Sequence, residues 1–217
     1  MKRGTSSRGW SGVGLRFLLG LGLGLTGWVA NGAEVEQRLE FSRPQMGVPF
    51  RIVVYASDEA AAQRAVGAAY DRVAALNAVF SDYDPDSEAS RLCHGTPPGV
   101  AVRVSWELGH VIGRSQDLAR RTDGAFDVTV GPLVNLWRRA RRHRELPPED
   151  LVEEARARVG WRKLEWDRRG GTVVFAVEGM RLDFGGIAKG YGADEALRVL
   201  REAGFPRALV PGAGGEA

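Results

Sequence analysis

Asp183, Gly185, Gly186 and Lys189 follow one another in the stretch LDFGGIAKGYGAD at residues 182–194. In that order they describe a corner that could hold a phosphate. A carboxylate closes an expected strand, and two glycines let main chain approach a ligand with no Cβ in between. A helix then begins, whose first amides and positive dipole end attract anions. Lys189 falls in the first turn of that helix, where a cation opposes the dipole, and a bound anion would offset the conflict. The GxxxxGK(S/T) spacing of a Walker loop is absent. A plain strand, turn and helix with a solvated lysine fits the same residues, and spacing alone leaves both readings open.

Two further segments carry candidate chemistry. In DGAFDVTVGPL at 123–133, Asp127 and Thr129 fall on one face of an expected strand, ahead of a helix opened by Pro132. The pair either lines a site or is simply solvated. In FSDYDPDSEASRL at 80–92, the Tyr83 phenol is placed to stack on a planar ring, unless the segment is only an acidic surface turn. His94, His110 and His143 are scattered, and neither a Ser/His/Asp set nor zinc-ligand spacing is present. The basic run RRARRHR at 138–144 reads as a solvated helical face and loop rather than an anion or membrane patch.

The elements that must position these residues follow from periodicity. Leu39 and Phe41, then Phe50, Ile52 and Val54, alternate as two strands around a bend at 44–47. Ser57 and Asp58 can cap a helix whose buried stripe is Val66, Tyr70, Val73, Leu76 and Phe80. A turn-rich segment follows from 81 to 85, then a loop at 95–99 and a strand at 100–104. A helix over 105–122 turns Leu108, Val111, Ile112, Leu118 and Ala119 inward and stops at Asp123-Gly124. A strand at 126–130 and helices at 133–142 and 147–159 come next. A hairpin pairs 163–166 with 172–177, a strand covers 180–184, a helix 188–203, and a last strand starts at 208–210. With no repeat and no linker, the pattern is α+β in one domain.

Composition sets the class. The chain has 217 residues, 44% hydrophobic and 26% charged, which excludes wholesale disorder. Its single cysteine, Cys93, excludes a disulfide framework. The net charge of +3 belongs to the N-terminus: residues 1–32 hold Lys2, Arg3, Arg8 and Arg16 and no acid, so the remainder is slightly acidic. That argues against nucleic acid as a partner. The positive start, the apolar stretch FLLGLGLGLTGWV at 17–29 and the small residues Ala30 and Gly32 read as a signal peptide over 1–32. The stretch is shorter than the ~20 residues of a membrane-spanning helix. An uncleaved anchor at the inner membrane is the alternative. The expectation is an exported, periplasmic protein with its folded domain over 33–217.

Five segments in order resemble the ApbE family of FAD:protein FMN transferases. They are MG at 46–47, FSDYDPDSEASRL at 80–92, DGAFDVTVGPLVNLW at 123–137, VGWRKLEWD at 159–167 and LDFGGIAKGYGAD at 182–194. The resemblance implies an α+β fold with a mixed, largely antiparallel sheet and packed helices, T-fold-like. It implies an exported, Mg²⁺-dependent enzyme that moves FMN from FAD to a threonine hydroxyl of an acceptor flavoprotein and releases AMP. The acceptor would be a subunit of a membrane redox complex, with peripheral membrane association of the enzyme. Alternatives within the same resemblance are an FAD pyrophosphohydrolase giving FMN and AMP, and a truncated FAD binder without catalysis. Carried over by motif, Met46, Tyr83, Ala125, Phe126, Asp127, Asp183 and Lys189 would bind FAD. The Gly186 main chain would offer an oxygen to the metal. Three positions depart from the family pattern: Val48 stands in place of threonine, Cys93 of asparagine and Gly192 of alanine. The family also continues beyond the glycine run at 212–215 and draws further metal ligands from there, so the chain is expected to be truncated at its C-terminus. Gly186 alone cannot satisfy a near-octahedral ion.

Overall fold

The computed structural model describes residues 35–211. The expected leader at 1–32 and the glycine run at 212–215 lie outside the described residues. Strand β1 (Gln37–Gln45) and strand β2 (Val48–Ala56) form an antiparallel hairpin in which Gln45 faces Val48. Only Met46 and Gly47 are left to make the turn, with φ of 49° and 77°. Two positive φ values suit the primed turns that match the right-handed twist of paired strands. The turn is therefore tighter than the bend expected at 44–47. Pro44 stays within β1, which tolerates it because β1 is an edge strand.

β2 lays Phe50, Ile52 and Val54 against helix α1 (Glu59–Phe80). Asp58 caps that helix by accepting from the Ala61 amide at 2.9 Å. The expected stripe Val66, Tyr70, Val73, Leu76 and Phe80 is buried throughout. The Tyr70 hydroxyl donates to the Phe50 carbonyl at 3.0 Å, and burial raises its pKa above the ordinary value. At 22 residues, α1 is long enough to serve two cores. Its first turns pack with β2 and with Ala193, Ala196 and Leu200 of the last helix. Its final turns, through Leu76 and Phe80, enter the second core.

That second core is built from short elements. Helix α2 (Glu88–Gly95) is capped by Ser87, which accepts from the Ser90 amide at 3.1 Å. It buries Ala89, Ser90 and Leu92 in a segment whose turn residues had concealed any periodicity. Strand β3 (Val102–Arg103) precedes helix α3 (Trp106–Arg121), capped by Ser105. α3 buries Leu108, Val111, Ile112 and Ala119, while Leu118 is only half-buried. Helices α4 (Gly131–His143) and α5 (Glu149–Ala157) follow, then the hairpin of β4 (Leu164–Asp167) and β5 (Thr172–Phe175). Helix α6 (Ala188–Glu202) and strand β6 (Ala208–Leu209) complete the described chain. The two sheets run β1-β2-β6 and β3-β5-β4, with every strand pair antiparallel. A lone parallel bridge joins Val130 to Arg181. This is the α+β class expected, divided over two small sheets. Arg72 ties three helices together by pairing with Glu107 on α3 at 3.0 Å and Glu195 on α6 at 2.7 Å.

Two expected strands, at 126–130 and 180–184, do not form. Side chains take the backbone partners that a ladder would have used. Asp127 Oδ1 accepts from the Thr129 amide at 2.8 Å and from its hydroxyl at 2.7 Å, and Oδ2 accepts from the Trp161 amide at 2.8 Å. Thr129 Oγ1 in turn accepts from the Gly160 amide at 2.8 Å and is fully buried. For backbone pairing the segment at 181–183 keeps the Val130 bridge and the Asp183 amide, which donates to the Val128 carbonyl at 2.7 Å. Close by, the Cys93 thiol accepts from the Leu182 amide at 3.3 Å, and burial pushes its pKa up to about 11.

Two outcomes test this packing. Asp127→Ala strands two part-buried amides and the hydroxyl of the buried Thr129, and is expected to lower unfolding stability by about 1–3 kcal/mol, read by urea denaturation. With its pKa near 11, about one Cys93 thiol in a thousand is ionised at pH 8. Iodoacetamide at that pH should therefore label the unfolded chain rapidly and the native chain very slowly.

Candidate functional site

A cavity of about 550 Å³ opens where the two cores meet. The β1–β2 turn contributes Met46 and Gly47, and Val48 follows it. The last turn of α1 contributes Asn77 and Phe80, and the loop after it Asp82 and Tyr83. The opposite wall is Asp183, Phe184 and Gly185 with Ala188 and Lys189 from the first turn of α6. Phe184 anchors this wall: it is buried, and its ring meets Phe80 edge-on with centroids 5.5 Å apart. Met46 rests on α6, where a Cβ on Gly192 would come within 3.3 Å of Met46 Cε.

The turn at 183–187 shows why its residue types are needed. Asp183 Oδ1 accepts from the Gly185 amide at 2.7 Å, closing the turn on itself. Neither Gly185 nor Gly186 has a positive φ, so conformation does not demand glycine here. Space does: a Cβ on Gly185 would lie 2.9 Å from Asp183 Oδ1, and one on Gly186 3.2 Å from the Phe126 ring. α6 then starts without a side-chain cap, its Ala188 amide donating to the Phe184 carbonyl at 2.8 Å. Lys189 Nζ lies 3.4 Å from the Gly185 carbonyl, arching back over the same turn. The ammonium and the helix end thus put positive potential on one rim of the cavity.

Arg138 supplies the second cation, and sequence reasoning missed it. It is the first residue of the run at 138–144; Arg139, Arg141, Arg142 and Arg144 are exposed, as that reading required. Arg138 instead reaches the cavity, donating to Asp183 Oδ2 at 3.2 Å and pairing with the Asp82 carboxylate. Its guanidinium lies over the Tyr83 ring, 4.4 Å from the centroid. Burial works against its charge, but its contacts with Asp82, Tyr83 and Asp183 together outweigh that and hold its pKa above the ordinary value. The signal available in the sequence was helical spacing, since Arg138 lies seven residues after the buried Gly131.

Met46, Tyr83, Asp183 and Lys189 are therefore brought together on one cavity. Ala125, Phe126 and Asp127 are not among its lining residues. Ala125 is exposed, Phe126 packs beside Gly186, and Asp127 holds the loop at 160–161. Gly186 is exposed on the turn next to the cavity. Among the described residues no cluster of three or more His, Cys, Asp and Glu side chains is arranged to hold a metal ion. The two cavity carboxylates are both engaged by Arg138. The described residues thus do not make the oxygen ligand set that Mg²⁺ requires.

Comparison with known proteins agrees with this architecture. The chain is 30% identical over 151 residues to the FAD:protein FMN transferase of Chlamydia pneumoniae, covering 69% of this chain and 48% of that protein. It is 35% identical over 132 residues to that of Haemophilus influenzae, covering 58% and 38%. Among solved structures, the apo form of the flavinyl transferase ApbE from Pseudomonas stutzeri superimposes with a TM-score of 0.73 at 28% identity, over 83% of this chain and 60% of that one. The flavin transferase ApbE from Vibrio cholerae gives 0.70 at 27% identity, over 82% and 58%. The chain spans about half the length, or less, of these two sequence relatives. Residues 46–217 match the ApbE family, and the chain belongs to it.

Proposed function

We propose that this chain carries the nucleotide pocket of an FAD:protein FMN transferase. The observation that supports it most is the convergence of Met46, Tyr83, Asp183 and Lys189, from three distant parts of the sequence, on one cavity. Its volume falls within the ~300–1,000 Å³ of ordinary small-molecule sites. In the reaction, a threonine hydroxyl oxygen of an acceptor flavoprotein attacks the phosphorus of the FMN half. The bond to the bridging oxygen breaks, AMP leaves with that oxygen, and the hydroxyl proton passes to solvent.

The described residues suit the binding side of that chemistry. Lys189 and the uncapped start of α6 face the place where a diphosphate would lie, and fixed positive potential there stabilises charge on the departing AMP. Asp183 holds the Gly185 turn open to close approach. The Tyr83 ring, 77% exposed at the mouth, offers a face to a planar flavin or adenine. Contact of Ala125, Phe126 and Asp127 with the nucleotide rests on the resemblance, with Phe126 already against the Gly186 turn.

Mg²⁺ dependence, an acceptor within a membrane redox complex, and export to the periplasm belong to the same proposal. The residue types of the leader at 1–32 support export. None of the described helices is long and apolar enough to cross a membrane. A second reading, an FAD binder without transfer, is favoured by the incomplete metal ligand set among the described residues.

Incubation with FAD, Mg²⁺ and an acceptor domain bearing the target threonine is expected to give a flavin-fluorescent acceptor band that survives denaturation. FAD binding without that band and without AMP release would select the second reading, and no FAD binding would remove both. Lys189→Ala is expected to weaken FAD binding by about tenfold with little change in thermal midpoint, because it removes a charge from a rim and nothing from either core.

A further inference from the structure

We propose that Arg138 is a positioning residue of the nucleotide site, strapping the Tyr83 loop to Asp183 and cancelling two carboxylates that would repel a diphosphate. This rests on the FAD reading of the cavity. The charged side chains lining it are Asp82, Asp183, Arg138 and Lys189. With Arg138 the two acids and two bases balance. Without it, two half-buried carboxylates confront one ammonium, and an entering dianion would meet net negative charge.

The geometry makes Arg138 more than a counter-ion. Its side chain, reaching from α4, holds Asp82 and Asp183, only 20% and 12% exposed. The loop at 81–86 is otherwise fastened to itself and to α2: the Tyr83 and Asp84 amides donate to Ser81 Oγ at 3.2 and 3.1 Å, the Asp86 amide to Asp84 Oδ1, the Ser87 and Ser90 hydroxyls to the Ser81 carbonyl, and the Arg91 side chain to the Asp86 carbonyl. None of these ties reaches the Asp183 wall, so Arg138 adds the link that sets the loop, and the Tyr83 ring it carries, against that wall. A planar fork with several donors can meet two carboxylates and a ring at once, whereas a lysine cannot.

The test uses the 217-residue chain as wild type, Arg138→Ala, Arg138→Lys and Arg138→Ala with Asp82→Asn. Each is titrated with FAD and with riboflavin, which has the flavin ring and no phosphate. Amide exchange over 81–86 is measured on the ligand-free proteins. Arg138→Ala is expected to weaken FAD by about 10- to 100-fold and riboflavin by less than about threefold. Adding Asp82→Asn should recover about tenfold for FAD, and Arg138→Lys should fall between wild type and Arg138→Ala. Exchange across the loop should quicken in Arg138→Ala. Equal losses for both ligands, or no recovery from Asp82→Asn, would reduce Arg138 to a structural residue and overturn the charge-balancing role. Unchanged exchange would overturn the strap whatever the ligands do. If the wild type binds FAD and Arg138→Ala binds it equally well, only this proposal falls. If the wild type binds neither ligand, the nucleotide reading falls and this proposal with it.

Discussion

Most of the site depends on two irregular stretches lying side by side. The Val130–Arg181 bridge and the Asp183 amide on the Val128 carbonyl join residues 128–131 to 181–183 outside both sheets. Gly131 allows the approach, since a Cβ there would fall 2.6 Å from the Arg181 carbonyl oxygen. This contact fixes where α4 begins and where the Asp183 turn begins. It thereby sets how far Arg138 must reach to meet Asp183. The remaining lateral support is the Asp127–Thr129 network, which anchors the same stretch to residues 160–161. Buried polar networks of this kind are stabilising when every member is satisfied, as it is here.

α1 provides the longitudinal support. One end packs against β2 and α6, and the other against α2, α3 and the β4–β5 hairpin. The cavity occupies the seam, so its walls come from two cores that share a helix. Arg72, with its two glutamate partners on α3 and α6, stiffens that arrangement from outside. Exposed ion pairs contribute little to stability, but these side chains are only 12–27% exposed and span three helices.

Long periodic elements were legible in the sequence. The α1 stripe, the α3 helix, the β4–β5 hairpin and the α6 start all stand close to where spacing put them. Elements stabilised by side-chain hydrogen bonds were not. Alternation of Phe126, Val128 and Val130 looks like a strand, yet Asp127 and Thr129 claim the local partners. α2 is only eight residues, with its apolar positions interrupted by Ser90 and Arg91. At the site, residues embedded in glycine-rich or aromatic motifs could be singled out. Arg138 was hidden in a basic run whose composition does not distinguish the member that faces inward, and only its helical spacing from Gly131 hinted at it. Its role follows from where α4 is docked, a long-range fact.

The hairpin end has a consequence for how this chain can vary in length. Two residues make the turn, and both already use the left-handed region, so there is no slack to absorb an insertion. One extra residue would slip the pairing of β1 against β2 and exchange inward for outward positions along a strand. Arg51 would then be driven toward the layer that Ile52 and Val54 now fill. Because Met46 is also a wall of the cavity, the same slip would withdraw it from that wall. Loops usually tolerate added residues, but at this one indels are constrained by folding register and by pocket shape together.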